Sequence, residues 1–334
     1  MPQSKENFLA RRLSVALALW FLFPCGAVAH DACVYLTDQG EIRSAKTLKE
    51  VPLSFRSKAV CKDSEPQEIP QTEEVKLAGN QRGSSFGTDL GRMDVRWLRE
   101  SERCFSSNPA RVIARAASAV NRAIKGGRFS PEIKTEHRDW SLILIDRASA
   151  VSQFPMALSL GGHPGFMVPP NQIYIVVDAV APDCRPTPEN DAALLRVLLH
   201  EMGHVVDFAL MDGVSTLGER KRTEGFASWF EGYASKNVSE IPQGSIARDY
   251  HLLVRDTDLV GEVEFSGGAR DYGIAELEFE TIVSRKGISG LMSLYQLMRE
   301  KQCSLYTALK DKFGWDSKVL QREAKAELSG ASAR

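Results

Sequence analysis

The sequence predicts an α+β protein in which a short run of strands is followed by a mainly helical region. Residues 140–145 and 172–178 are apolar runs of strand length. A helix is predicted before them, and after residue 183 the apolar residues recur with helical spacing. This order of a helix, then strands, then helices favours an α+β fold over regularly alternating strands and helices.

Length, composition and charge are those of a globular protein. The 334 residues are 43% hydrophobic and 25% charged, with 42 Lys+Arg against 43 Asp+Glu. A formal net charge of -1 argues against binding to a nucleic-acid backbone, which requires a basic surface. We therefore expect no nucleic-acid partner.

Residues 1–29 have the pattern of a bacterial Sec signal peptide. Lys5, Arg11 and Arg12 precede an apolar run of about a dozen residues, and a small-x-small cleavage site ends at Ala29. This run is shorter than the roughly 20 residues of a membrane span, and no later run is long enough. We expect a periplasmic or secreted protein without an integral span in the mature chain, and a retained N-terminal anchor is the alternative.

The region between the signal peptide and the main domain has two parts. Extended segments on either side of a turn at 37–40 predict a small β module over residues 30–62. Residues 63–91 are rich in Glu, Gln, Pro, Gly and Ser, so they bury little apolar surface, and we expect a flexible linker. The main domain is then predicted to span residues 92–330.

Export would place the cysteines in an oxidising compartment. No C-x-x-C element is present, which argues against a cysteine-rich zinc knuckle. Cys33 and Cys61 bracket the small β module, and we expect them to form a disulfide. Cys104 with Cys184 is a second hypothesis, because spacing alone does not determine which cysteines pair.

Capping residues mark two helix starts in the main domain. Asn108 and Pro109 predict a helix that continues to about residue 127. Thr187 and Pro188 predict the start of a second helix. That second helix contains the residues on which the functional prediction depends.

Residues 200–204, with the sequence His-Glu-Met-Gly-His, lie inside the second helix. Because residues four apart on a helix share a face, His200 and His204 can bind the same ion. Glu201 projects to the side of the metal, where it can take a proton from water without being a ligand. Imidazole and carboxylate ligands suit Zn²⁺, so we predict one zinc ion.

The surroundings of this motif favour a metal site over two solvated surface histidines. Apolar neighbours make the helix hydrophobic nearly all round, which is typical of a buried helix. Burying two histidines and a glutamate without a partner is unfavourable. A purely structural zinc site is an alternative, but such sites usually contain cysteine, and only Cys184 lies near the motif.

A third protein ligand is required, and the next predicted helix supplies carboxylates. Nineteen residues separate His204 from Glu224, which is enough for one helix to end and a second helix to return. Gly225 would let the helix backbones approach closely at this ligand. Glu231 and Asp207 are rivals for the third position, and each could instead support a histidine or be a capped or solvated carboxylate.

The motif at 200–204 followed by Glu-Gly-Phe-Ala at 224–227 resembles the gluzincin metallopeptidases of the peptidase-MA-like group. The resemblance implies a zincin-like fold, with a small sheet, an active-site helix and a mostly helical C-terminal lobe. It also implies that Glu224 is the third zinc ligand.

The same resemblance suggests a residue that stabilises the transition state. Residues 271–276 open a helix that is predicted to end near Gly287, and in gluzincin relatives a Tyr at the start of such a helix can donate to the oxyanion. This implies that Tyr272 has that role. A packing role for Tyr272 is the alternative, and His163 or His251 could replace it as donor.

Together the residues and the resemblance imply an exported zinc metallopeptidase that acts on a protein or peptide substrate. Zinc on His200, His204 and Glu224 would polarise a water molecule, and Glu201 would be the general base. The alternative is a catalytically inactive zincin scaffold that serves as a binding or interaction protein of the cell envelope, with the small β module as the recognising part.

Overall fold

The computed structural model divides the chain into two units, residues 1–76 and residues 77–334, and part of each unit is described. The described residues are 33–36, 42–45, 60–61, 80–129, 133, 139–153, 164–168, 172–212, 220–254, 265 and 267–331. The predicted signal peptide therefore lies outside the described residues. Helices and a small five-stranded sheet make up most of the described chain, which confirms the predicted α+β class.

Three short strands form the described part of the first unit. They are β1 (Cys33–Leu36), β2 (Ile42–Ala45) and β3 (Val60–Cys61), in the antiparallel order β2-β1-β3. The register pairs Cys33 with Cys61 across β1 and β3. The β character predicted for this segment is present, and the disulfide between these two cysteines stays a prediction.

The second unit contains a five-stranded mixed sheet with the order β4-β5-β6-β8-β7. Its strands are β4 (Gln81–Thr88), β5 (Gly91–Leu98), β6 (Trp140–Ile145), β7 (Gly165–Val168) and β8 (Gln172–Val176). The central strands β5, β6 and β8 run parallel, whereas β4 and β7 pair antiparallel at the two edges. Apolar residues fill β6 and β8 because these strands are buried in the middle of the sheet.

The sheet corrects the predicted linker and one strand boundary. Strand β4 and the start of β5 lie within 63–91, where a flexible linker was expected. Most β4 side chains are at least partly exposed, and backbone pairing to β5 holds the strand in place. Amino-acid composition gives no sign of such pairing, so the segment looked like a linker. Strand β8 ends at Val176, two residues before the predicted end of the apolar run, because a helical turn follows.

Helices account for most of the second unit. They are α1 (Pro109–Gly126), α2 (Arg147–Gln153), α3 (Val177–Val180), α4 (Pro188–Leu210), α5 (Arg220–Ser235), α6 (Ser245–Val254), α7 (Ala269–Lys301), α8 (Leu305–Phe313) and α9 (Ser317–Ala331), with a 3-10 turn at Arg99–Cys104. The cap predictions hold, because the Asn108 side chain accepts from the backbone N–H of Ala110 and Thr187 accepts from Asn190. Helix α7 breaks at Gly287, where φ is 70°, close to its predicted end.

The start of α4 is fixed to the segment that follows β5. A disulfide joins Cys104 to Cys184, which confirms that predicted pair. Asp191, in the first turn of α4, accepts hydrogen bonds from the backbone N–H groups of Ser106 and Ser107 and from the Ser106 hydroxyl. Burial opposes ionisation of Asp191, but these hydrogen bonds outweigh it and keep its pKa below the usual value.

Helix α4 lies between the sheet and the remaining helices. It packs on β7, β8 and α1, and on its other side it packs against α5, which in turn packs against α7. Gly203 of α4 faces Ala227 of α5 so closely that a Cβ on the glycine would lie 2.9 Å from the Ala227 Cα. Gly225 of α5 faces α7, where a Cβ would lie 2.7 Å from the carbonyl oxygen of Ala275. Glycine therefore sets the spacing of these three helices.

We predict that Gly225→Ala lowers the free energy of unfolding by about 1–3 kcal/mol, because the added methyl group meets the backbone of Ala275. Gly232→Ala on the same helix is the matched control, since its Cβ would meet only Ile246 at an ordinary 3.6 Å. We expect the control to be neutral or more stable by roughly 0.5–1 kcal/mol. Urea unfolding of both variants measures the difference, and equal stabilities would show that the α5–α7 contact adapts freely.

Candidate metal centre

His200 and His204 occupy the same face of α4, one helical turn apart, as their spacing predicts. Their rings lie edge to face with centroids 5.0 Å apart. Both side chains are largely buried, with 16% and 15% of their surface exposed. The Nε2 atoms of both rings face the first turns of α5.

Glu224 of α5 meets both rings. Its Oε2 atom lies 3.4 Å from Nε2 of His200 and 3.4 Å from Nε2 of His204. Ligand atoms about 2.0–2.1 Å from a tetrahedral zinc ion are separated from one another by about 3.3–3.4 Å. Both separations therefore fit a zinc ion held by two imidazoles and one carboxylate.

Close helix packing explains why Glu224 reaches the histidines. Gly203 lies between His200 and His204 in the sequence, and it contacts Ala227, which is three residues after Glu224. A larger residue at position 203 would force α5 away from α4. Gly203 thus sets the distance between Glu224 and the two histidines as well as the packing of α4 on α5.

Glu201 lies beside the histidines but is not part of the three-residue cluster. Only 4% of its surface is exposed, and its Oε2 atom has no hydrogen-bond partner among the described residues. Burial raises the pKa of Glu201, while the two neighbouring histidines oppose the rise. A Cβ on Gly165, the first residue of β7, would lie 2.6 Å from Glu201 Oε1, so the sheet edge directly confines this carboxylate.

Glu231 lies on the other side of His200. It accepts hydrogen bonds from Arg196 Nε at 3.0 Å and from the Tyr250 hydroxyl at 2.9 Å. Its Oε2 atom is 3.7 Å from Nδ1 of His200, on the ring edge that faces away from Glu224. Glu231 therefore has the position of a supporting residue that orients His200.

The other rival ligand, Asp207, is separated from the cluster by its own partners. Its carboxylate accepts hydrogen bonds from Arg222 of α5 and from the hydroxyl of Tyr295 of α7. All three groups are buried, and together they connect α4, α5 and α7. Asp207 is thus part of the helix packing.

Tyr272 stands at the first turn of α7, and its ring centroid is 6.3 Å from that of His200. Burial and the charge of Glu224 raise the pKa of Tyr272, against the opposing charge of Arg220. The hydroxyl therefore stays protonated at neutral pH. Of the two alternative donors, His251 is paired with Glu280, and His163 lies outside the described residues.

Sequence reasoning missed Arg220, which lies next to the cluster. Its Nε is 3.7 Å from Oε1 of Glu224, the oxygen that does not face the histidines. The guanidinium is also stacked 5.1 Å above the ring of Phe265, which fixes its direction. The spacing of four residues between Arg220 and Glu224 on one helix is the signal that could have identified this pair.

The carboxylates make the cluster attractive to positive charge. Burial alone would lower the pKa of His200, but the nearby carboxylates of Glu224, Glu231 and Glu201 outweigh it and raise the pKa to about 10. Desolvation likewise opposes ionisation of Glu224, yet both histidines hold its pKa well below the usual value. A divalent cation is therefore electrostatically favoured here.

Comparisons with protein-family models, curated proteins and solved structures gave no match to this chain. None of the helices in the described ranges combines the length and the apolar character needed to cross a membrane.

We predict that Glu231→Gln weakens zinc binding by roughly 10- to 100-fold, because the neutral amide supports His200 less strongly than the carboxylate. Titration of the metal-free protein with zinc in the presence of a competing chelator measures the affinity. Glu300→Gln, an exposed change on α7, is the control and should bind zinc as the wild type does. An unchanged affinity for Glu231→Gln would mean that His200 needs no support from this side chain.

Proposed function

We propose that this protein is an exported zinc metallopeptidase of the gluzincin type, with a zincin-like fold. The observation that carries the proposal is the meeting of His200, His204 and Glu224 at separations that suit tetrahedral zinc. The buried carboxylate of Glu201 beside this cluster supports a catalytic site over a structural one. Purely structural zinc sites are usually closed by a fourth protein ligand, commonly cysteine, whereas among the described residues the cluster contains three potential ligands.

His200, His204 and Glu224 would hold the metal. A bound zinc ion would supply Lewis acidity, which polarises an attacking water molecule and the carbonyl group of the scissile amide. Glu231 would keep the His200 ring in the orientation in which Nε2 faces Glu224. Arg220 would hold the second oxygen of Glu224, so that Oε2 alone faces the two rings.

Glu201 would be the general base and then the general acid. Its Oε2 atom has no hydrogen-bond partner in the described chain, so this oxygen is available to accept a proton from the attacking water. The same carboxyl group would then deliver the proton to the amine that leaves. Tyr272, whose ring lies beside that of His200, would donate its O–H to the developing oxyanion.

The edge of the sheet supports a peptide as substrate. Strand β7 pairs with β8 on one side, and in the described chain no strand pairs with its other side. An edge strand offers backbone N–H and C=O groups to an extended peptide. Because Gly165 of β7 touches Glu201, a peptide added to this edge would pass beside the general base.

Export is proposed from three features that agree. Residues 1–29 have the pattern of a signal peptide, and the Cys104–Cys184 disulfide fits an oxidising compartment. No helix in the described part of the chain suits a membrane span. A periplasmic or secreted location follows, and cell-envelope proteins or peptides are then the substrate class.

We predict that Glu201→Gln keeps its bound zinc and loses peptide hydrolysis by about 10²- to 10⁴-fold, because the amide cannot accept the proton. Casein and a peptide library serve as substrates, and metal content is measured on the same samples. Glu189→Gln, an exposed change on the same helix, is the control and should be fully active. Undiminished hydrolysis by Glu201→Gln would refute the general-base role, and no hydrolysis by the wild type would favour the inactive scaffold.

We also predict that Gly165→Ala lowers kcat by about 10²-fold without loss of zinc, because the new methyl group displaces the Glu201 carboxylate. Gly87→Ala in β4, at the opposite edge of the sheet, is the control, since its Cβ would meet nothing within 4 Å. Steady-state kinetics on both variants measure the effect. Equal kcat values would show that the position of Glu201 does not depend on β7.

A further inference from the structure

A second group of potential metal ligands lies between α6 and α7. It consists of His251 on α6 and of Glu276 and Glu280 on α7, which share one face because they are four residues apart. One ligand atom from each residue lies within 4.8 Å of the other two. The Nε2 atom of His251 contacts Glu280 Oε2 and is 3.8 Å from Glu276 Oε2.

Glu276 is the unusual member of this group. Its surface is only 2% exposed, and its Oε2 atom has no hydrogen-bond partner in the described part of the chain. That atom is the one that faces His251. A buried carboxyl oxygen without a donor is unfavourable, and a cation is one of the few partners that would compensate it.

The charges around Glu276 are mainly negative. Besides burial, the carboxylates of Glu280 and Glu231 raise the pKa of Glu276. Arg196 is paired with Glu231 and Asp249. The imidazole of His251 faces the carboxyl groups of both Glu276 and Glu280.

A neighbouring glycine brings the two helices together. A Cβ on Gly273 of α7 would lie 2.8 Å from the carbonyl oxygen of Tyr250 on α6. Gly273 is one turn before Glu276, and Tyr250 precedes His251. The close contact of the helix backbones therefore holds the imidazole against the two carboxyl groups.

We propose that His251, Glu276 and Glu280 bind a second divalent transition-metal ion, of the class of Zn²⁺ or Mn²⁺. One imidazole nitrogen and two carboxylate oxygens suit such ions, with water in the remaining positions. Glu280 is 30% exposed in its side chain, so it can move outward from His251 to admit the ion. Glu276 would supply the fixed, buried ligand.

The second ion would tie α6 to α7 close to the first cluster. Tyr250, the neighbour of His251, donates to Glu231, whose carboxylate faces His200. A metal on His251 would thus stabilise α6, whose Tyr250 donates to Glu231, the supporting residue of the first cluster. Binding of the second ion does not itself depend on the proposed peptidase activity.

The test counts metal ions in the purified, metal-stripped protein after equilibrium dialysis against zinc chloride. Zinc is the probe because nitrogen and oxygen sites bind it more tightly than Mn²⁺ or Fe²⁺. We expect two ions per chain in the wild type and one in the double variant His200→Ala with His204→Ala. Glu276→Gln alone should also bind one ion. The triple variant, which combines His200→Ala, His204→Ala and Glu276→Gln, should bind none.

Two further measurements keep the result interpretable if Glu276→Gln folds poorly. Glu280→Gln changes a partly exposed ligand and should also lose one ion, whereas Glu300→Gln should keep both. In the His200→Ala, His204→Ala background, zinc should raise the midpoint of thermal unfolding, and Glu280→Gln should abolish the rise. A wild type that binds one ion, retained by Glu276→Gln and Glu280→Gln, would overturn the second site and leave the first one intact.

Discussion

The close approach of helices at three glycines is the constraint on which the rest of the structure depends. Gly203 brings α4 to α5, Gly225 brings α5 to α7, and Gly273 brings α7 to α6. In each case a methyl group would lie under 3.0 Å from a backbone or side-chain atom of the neighbouring helix. Each of these glycines is next to a candidate functional residue or within one turn of it, so the same contacts that pack the helices also set the separations between ligand atoms.

Burial of so many ionisable groups is tolerated because most of them neutralise one another. Asp207 is paired with Arg222 and Tyr295, and Glu231 is paired with Arg196 and Tyr250. Against this background the exceptions are informative. Oxygen atoms of Glu201 and Glu276 have no partner among the described residues, and each lies beside at least one histidine and further carboxylates. A buried carboxyl oxygen that the protein leaves without a partner is a physical reason to expect a cation beside it.

Much of this could be predicted from the sequence because it is local. Helical spacing places His200 and His204 on one face, and the caps at Asn108 and Thr187 mark the helix starts. The apolar runs predicted β6 and β8. Strand β4 could not be recognised in the same way, because an edge strand with a largely exposed surface has a composition close to that of a linker.

The choice among Glu224, Glu231 and Asp207 depended on tertiary contacts that a linear pattern does not contain. All three lie on the helices near the histidines, and only the crossing of α4 and α5 brings Glu224 to both Nε2 atoms. The cluster at His251 could not be predicted from the sequence for the same reason, since Glu276 and Glu280 are 25 and 29 residues away on another helix. The glycines, however, are visible in the sequence as Glu224-Gly225 and Tyr272-Gly273. A glycine inside an otherwise helical segment weakens the helix, so its presence beside a carboxylate or a tyrosine signals that another helix must pass close to that residue.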